Sequence, residues 1–291
     1  MFVIIGYLVA IGCIFGGYII HGGNIGVVLH ALPIELMVIG GGAIGAFVVN
    51  NQPKVLKSTL KLLPSAFKGS KYTKARYLDL MALLYDILQK ARKDGLMSIE
   101  KDVETPHDSP IFQKYPKLAN DHHVVEFTTD YLRMMVSGNL NAHEIEALME
   151  EEIQTVARDQ LKPKHALQEV ADGLPALGII AAVLGIVHAM GALDQSPEVL
   201  GHLIGAALVG TFAGIFFSYG IFAPLAAKVK TVREKKMRMY IIMKQTLIAY
   251  MNGALPQVAL EYGRKAISAY DRPTIDQVEA ETIGGPAPAA A

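Results

Sequence analysis

The chain has 291 residues, 52% of them hydrophobic and only 19% charged, with a mean hydropathy of +0.31. That is too apolar for an ordinary soluble domain and places it in the membrane class. Its 27 basic and 27 acidic residues cancel, which excludes a global pull toward nucleic acid or an acidic substrate.

The charge is nevertheless segregated. No Lys or Arg precedes Lys54, and none falls between Lys164 and Lys228. A bilayer core needs about 20 apolar residues in helical form. Four runs qualify: Phe2–Ile20, Ala31–Val49, Leu174–Leu193 and Leu200–Leu225. The first lacks the basic flank of a signal peptide and reads as a retained span. Its lone cysteine, Cys13, is expected to be a small packing residue. The connectors "HGGNIGVVLH" (21–30) and "DQSPEVLG" (194–201) carry no Lys or Arg. By the positive-inside rule both short loops face out, and the basic segments and both termini are cytoplasmic.

After the second span, "KVLKSTLKLLPSAFKGSK" spaces Lys54, Lys57, Lys61 and Lys68 among leucines. This suits either an interfacial helix on anionic lipid or a basic soluble helix. "KARYLDLMALLYDILQKARKDG" (74–95) puts Leu80, Met81, Leu84, Ile87 and Leu88 on one helical face, with Gly95 as a stop. "DHHVVEFTTDYLRMMVSG" (121–138) is a second amphipathic helix. Its adjacent His122 and His123 point to different sides, so no metal site is expected. "NAHEIEALMEEEI" opens with Asn141 and Glu144 at capping-box spacing. Residues 228–253 read as a helix with a basic first half, and "GGPAPAAA" as part of a disordered tail.

The expected fold is therefore an all-α integral membrane protein. Its segments are spans one and two (1–50), a large cytoplasmic helical region (51–169), spans three and four (170–226), cytoplasmic C-terminal helices (227–271) and a disordered tail (272–291). No phosphate loop, cofactor motif or catalytic constellation appears, so an enzyme is not expected.

The spans hold small residues at four-residue spacing: Gly12/Gly16, Gly41/Gly45, Gly201/Gly205 and Gly210/Gly214. These permit close helix approach, within one chain or between chains. Ionisable groups are few. Glu35 and Asp172 are expected near span ends, where they can snorkel to water, and His188 toward the outer end of span three. If the protein moves ions, the titrating carboxylate is then expected on another chain.

These residues carry a family resemblance. "DGLPALGIIAAVLGIVHAMGAL" and "VGTFAGIFFSYGIFAPLA" closely resemble the third and fourth spans of the MotA family of flagellar motor stator subunits. "GYLVAIGCIFGGYIIHGG", "SKYTKARYLDLMALLYDILQKARKDG" and "EIEALMEEEI" resemble it too. The resemblance implies a homopentamer in the bacterial inner membrane around a MotB dimer. MotB would supply the ion-binding aspartate and the peptidoglycan anchor, and ion flow would turn the ring against the rotor protein FliG. It further implies that Pro175 and Pro224 are coupling prolines and that Arg92 and Glu100 pair with rotor charges. Lys93, Asp94, Lys101 and Asp102 could share that work. Ala182 and Thr211 would line the ion path or the partner helix, with Asp172 as a possible proton exit or structural anchor. Ala182 stands where sodium-driven relatives have threonine. It offers no side-chain oxygen to replace sodium's water, so protons are the expected ion. An ExbB- or TolQ-like energy transducer and a solute transporter are the alternatives. The fourth span and the 74–100 match weigh against the first, the long insert and short outer loops against the second.

Overall fold

The structure is a computed structural model and describes residues 2–138 and 141–284. Its described residues contain helices and no strands. In chain order these are α1 (Phe2–Ile20), α2 (Ile25–Asn50), α3 (Pro53–Lys68), α4 (Lys74–Asp94), a 3-10 turn (Leu96–Ile99), α5 (Glu100–Glu104), α6 (Pro110–Gln113), α7 (Pro116–Ala119), α8 (His122–Ser137), α9 (Ala142–Met190), α10 (Pro197–Ile215), a π-helical segment (Phe216–Phe222), α11 (Ala223–Met251), α12 (Pro256–Lys265) and α13 (Ile275–Thr282). The chain divides into two compact units. The first takes residues up to Gly69 and Gln160–Val232, the second Ser70–Asp159 and the residues from Arg233 on.

The first unit is apolar on its outside. α1 has no buried residue at all, and Ile4, Leu8, Met37, Ile44, Ile179 and Val187 are exposed. Such a surface is stable only in a solvent as apolar as itself, and helices satisfy their own backbone groups there. Four helices are long and apolar enough to cross a membrane. α2 starts at Ile25, earlier than expected, because the Asn24 side chain accepts from the Gly26 N–H at 2.9 Å and caps it. α10 starts at Pro197 behind a Ser196 cap.

The helix that carries span three starts well before Leu174: Pro175 lies inside the 49-residue α9, as does Pro163. Residues 142–169 keep a helical pattern without a break, so the helix simply runs on. At Pro224 the helix runs on into α11. The seven preceding residues widen into the π segment, where the Ala223 N–H donates to the Ser218 carbonyl. A proline in an α-helix loses one backbone donor and presses its ring on the carbonyl four residues back. The wider π turn relieves that clash without breaking the helix. α3 does not rest on solvent or lipid alone. Ala66, Leu62, Leu63 and Phe67 pack with Leu167, Leu225, Ala226 and Val229, while its four lysines stay exposed.

The second unit is built, among its described residues, around one large apolar core. Leu80, Met81, Leu84, Ile87 and Leu88 of α4 are all buried. They pack with Val124, Phe127 and Leu132 of α8, Ile145 and Met149 of early α9, Ile242 and Leu247 of α11, and Leu260 of α12. Phe127 meets Tyr240 edge-on at 4.9 Å and Tyr131 at 4.8 Å. The Asn141–Glu144 capping box forms, with the Asn141 side chain accepting from the Glu144 N–H at 3.0 Å and Glu144 accepting in return at 2.9 Å. Residues 272–284 are not the expected featureless tail. Thr274 and Gln277 form a capping box, α13 follows, and Val278 is buried in the core. The remainder of the expected tail, 285–291, lies outside the described residues.

Candidate functional site

Two places gather the residues singled out above. The first is the tip of the second unit. α4 ends with Arg92, Lys93 and Asp94, and Gly95 (φ +86) turns the chain into the 3-10 segment. That backbone conformation suits glycine because it has no Cβ. Glu100 and Lys101 open α5. Arg92, Lys93, Asp94, Glu100 and Lys101 are all exposed. Asp102, grouped with them in the sequence reading, is not available: it is 5% exposed. Lys90 Nζ donates to its Oδ2 at 2.6 Å and Ser109 Oγ to its Oδ1 at 2.6 Å. Asp102 therefore ties the end of α4 to α5 and to the start of α6, and so positions the exposed charges. Sequence reasoning also missed that Leu96 and Met97, 38% and 64% exposed, stand between them. Charges flanking an uncovered apolar pair can steer a partner and then hold it by modest burial.

Farther along the same unit a buried carboxylate has a structural task. Asp121 accepts from Tyr72 Oη at 2.7 Å and Lys71 Nζ at 2.8 Å. Burial alone would raise its pKa, but the two hydrogen bonds and the Lys71 charge outweigh burial and hold it below the usual carboxylate value. His122, His123 and Glu126 do converge, with ligand atoms within 4.8 Å of one another. The Glu126 carboxylate, reaching back along α8 to both rings, brings them together. All three are exposed, and the i,i+4 contact to Glu126 at 3.4 Å is an ordinary helix-surface pair.

The second place is the seam of α2, α9 and α10 in the first unit. The small residues meet backbone to backbone. A Cβ on Gly214 would stand 2.6 Å from the Leu174 carbonyl oxygen and 2.9 Å from the Gly178 Cα; one on Gly185 would lie 2.6 Å from the Ala207 Cβ. The Gly210/Gly214 pair is therefore used within the chain. Gly12, Gly16, Gly41 and Gly45 have nothing within 4 Å and remain open to lipid or another subunit. Ala182 is 8% exposed, on the inner side of this seam, whereas Ile179, Ile180 and Val183 form the open face of α9. Thr211 and Pro175 are half-buried, and Pro224 and Asp172 are exposed. Asp172 accepts from Gln168 Nε2 at 2.9 Å.

Glu35 departs most from expectation. It is not near the end of its helix but ten residues, about 15 Å, beyond its start. It is 8% exposed, and its Oε2 would lie 2.6 Å from a Cβ on Gly210. It faces a cavity of about 830 Å³ that His30, His188 and His202 also line. Only the absent side chain of Gly210 makes room for it, a relation between residues 175 positions apart that no local pattern signals.

The family described as Motility protein A N-terminal matches residues 4–95. The MotA/TolQ/ExbB proton channel family matches residues 119–241. Motility protein A of Salmonella typhimurium is 45% identical over 96% of this chain and 94% of its own length. Chemotaxis protein LafT of Vibrio parahaemolyticus is 38% identical over 94% and 96%. Among solved structures, the flagellar MotAB stator complex from Bacillus subtilis superposes with a TM-score of 0.72 at 26% identity, covering 92% of this chain and 96% of that one.

Proposed function

The chain belongs to the Motility protein A family, within the MotA/TolQ/ExbB proton channel family, and is a flagellar stator subunit rather than an enzyme; on that premise we propose how it turns ion flow into torque. Five copies surround a MotB-type dimer in the bacterial inner membrane, both termini of each copy in the cytoplasm. The dimer brings the ion-binding aspartate and the peptidoglycan anchor. Protons crossing the complex alter the packing of α9 and α10, and the helices transmit that change at Pro175 and at the π segment before Pro224. Arg92 and Glu100 then push the oppositely charged rotor protein FliG, with Lys93, Asp94 and Lys101 sharing the work.

The observation that carries the reading is the exposed, charged tip of the second unit, with Asp102 bonded beneath it. Contacts between exposed charges form and break quickly and are steered over distance, as repeated stepping requires. The ring's outer surface is supported by the open glycine pairs of α1 and α2 and by the lysines of α3, which suit anionic headgroups. Ala182 supports protons over sodium, since no side-chain oxygen is offered there, and Thr211 is the hydroxyl near the path.

Deleting the gene from a host with no second stator system tests this. Flagella should assemble and stay paralysed, and normal swimming would refute the reading. For the ion, rotation should stop with a protonophore and persist without sodium.

A further inference from the structure

Glu35 is a buried carboxyl that neither the torque tip nor the prolines use. It sits in mid-helix on α2, against the backbone of α10 at Gly210, whose missing Cβ leaves the carboxyl its space. Among the described residues no donor bonds it and no cation pairs with it. An ionised carboxylate in that position within an apolar unit is costly, and burial of such a group marks a functional position by default. It is not sealed, however. It opens on the cavity of about 830 Å³ bounded by α2, α9 and α10, whose lining includes Asn24 and three imidazoles, His30, His188 and His202. These histidines face it from α2, α9 and α10 in turn, and α1 carries no charged side chain. All three are exposed. Two of them lie beside the short connector between α9 and α10, and Asn24 lies in the connector between α1 and α2.

We propose that Glu35 is a proton-exchange site of the stator, loaded through this cavity. The cavity end is open and lined by three exposed imidazoles, side chains able to accept and pass on protons. The Glu35 end is buried and backed by the α10 backbone at Gly210. The carboxylate takes one proton from hydronium in the cavity and leaves water behind. It then releases that proton to the next acceptor along the helices and regains its charge, so each cycle moves one proton and consumes nothing. The next acceptor is the carboxylate supplied by the partner chain. Gly210 is a positioning residue for this step, because any side chain there displaces the carboxyl.

The inference rests on the proposed proton coupling and on the short connectors facing outward. Its test uses the full-length chain with its own partner in a host lacking other stators. Motor speed is read near zero load and near stall, across external pH values of about 5 to 8. Glu35→Gln should lower the low-load speed several-fold, leave stall torque in place and flatten the dependence on external pH. Glu35→Asp should restore speed with a displaced pH profile. Wild-type speed and pH profile in Glu35→Gln would overturn the proposal. If Glu35→Gln no longer copurifies with the partner, infrared difference spectra of the wild-type and Glu35→Asp complexes decide. A protonated-carboxyl band that moves with the Asp substitution supports the site, and identical spectra overturn it. Failure of the underlying reading looks different: the wild-type motor itself would follow sodium and survive a protonophore.

Discussion

Substituting Gly214 by alanine tests the helix seam most directly. The added Cβ would stand 2.6 Å from the Leu174 oxygen, 2.9 Å from the Gly178 Cα and 3.1 Å from the Gly178 nitrogen. All three are backbone atoms of one turn of α9, so none can rotate away as a side-chain tip could. Reaching the ordinary contact distance of 3.4 Å requires α9 and α10 to part by about 0.8 Å. Overpacking of this kind costs about 1–3 kcal/mol. Alanine returns up to about 1 kcal/mol through its better helix propensity. From the middle of that range, about 2 kcal/mol, the net loss is about 1–2 kcal/mol, roughly a 5- to 30-fold fall in the folded-to-unfolded ratio. Far-UV circular dichroism melts of the purified complex in detergent would read it as a lowered Tm. Gly12→Ala is the internal control: nothing lies within 4 Å of that position, so the chain's own melting should hold or rise. A Gly214→Ala protein that melts at or above wild type would refute the backbone contact.

Reversing Arg92 or Glu100 alone should reduce swimming modestly, because several exposed charges share the tip, while the double reversal should nearly abolish it in soft agar with Tm unchanged. Lys90→Met should do the opposite: Asp102 keeps only the Ser109 bond, a loss of about 1–3 kcal/mol read by urea denaturation. Asp121 is held below its unfolded pKa, so its contribution is present above that value, about 3.9, and is lost as pH falls through the lower folded value. Stability measured against pH should therefore decline on the acid side, and less steeply in Asp121→Asn. Tyr7 Oη donates to the Ile221 carbonyl in the π segment at 2.9 Å; Tyr7→Phe should cost about 1 kcal/mol by thermal melting.

Local pattern made much of the molecule readable. α1 matches the first expected span residue for residue, because its apolar run stops at His21 and the two glycines that follow. The inward face of α4 follows from 3.6-residue spacing, and the capping box at Asn141 from two side chains three residues apart. Where the signal depended on what a helix meets, the reading fell short. A proline looks like a helix start or a bend, yet Pro175 is carried inside α9 and Pro224 is met by a change of helical register. Asp102 looked like one exposed charge among six until Lys90 and Ser109 closed on it. The helix at Ile275–Thr282 was hidden by a polar composition that burial of Val278 overrides.

Hydropathy, charge segregation and motif spacing are sums over neighbouring residues, so by themselves they determined that four helices can cross a membrane, that the charged helices are set apart from them, and which family the chain resembles. Which glycines are spent inside the chain and which stay open was decided by tertiary packing alone. So was the burial of Glu35 opposite Gly210. Both depend on distances between helices remote in sequence, and a glycine's missing Cβ becomes space for another group only after a second helix has come to lie against it.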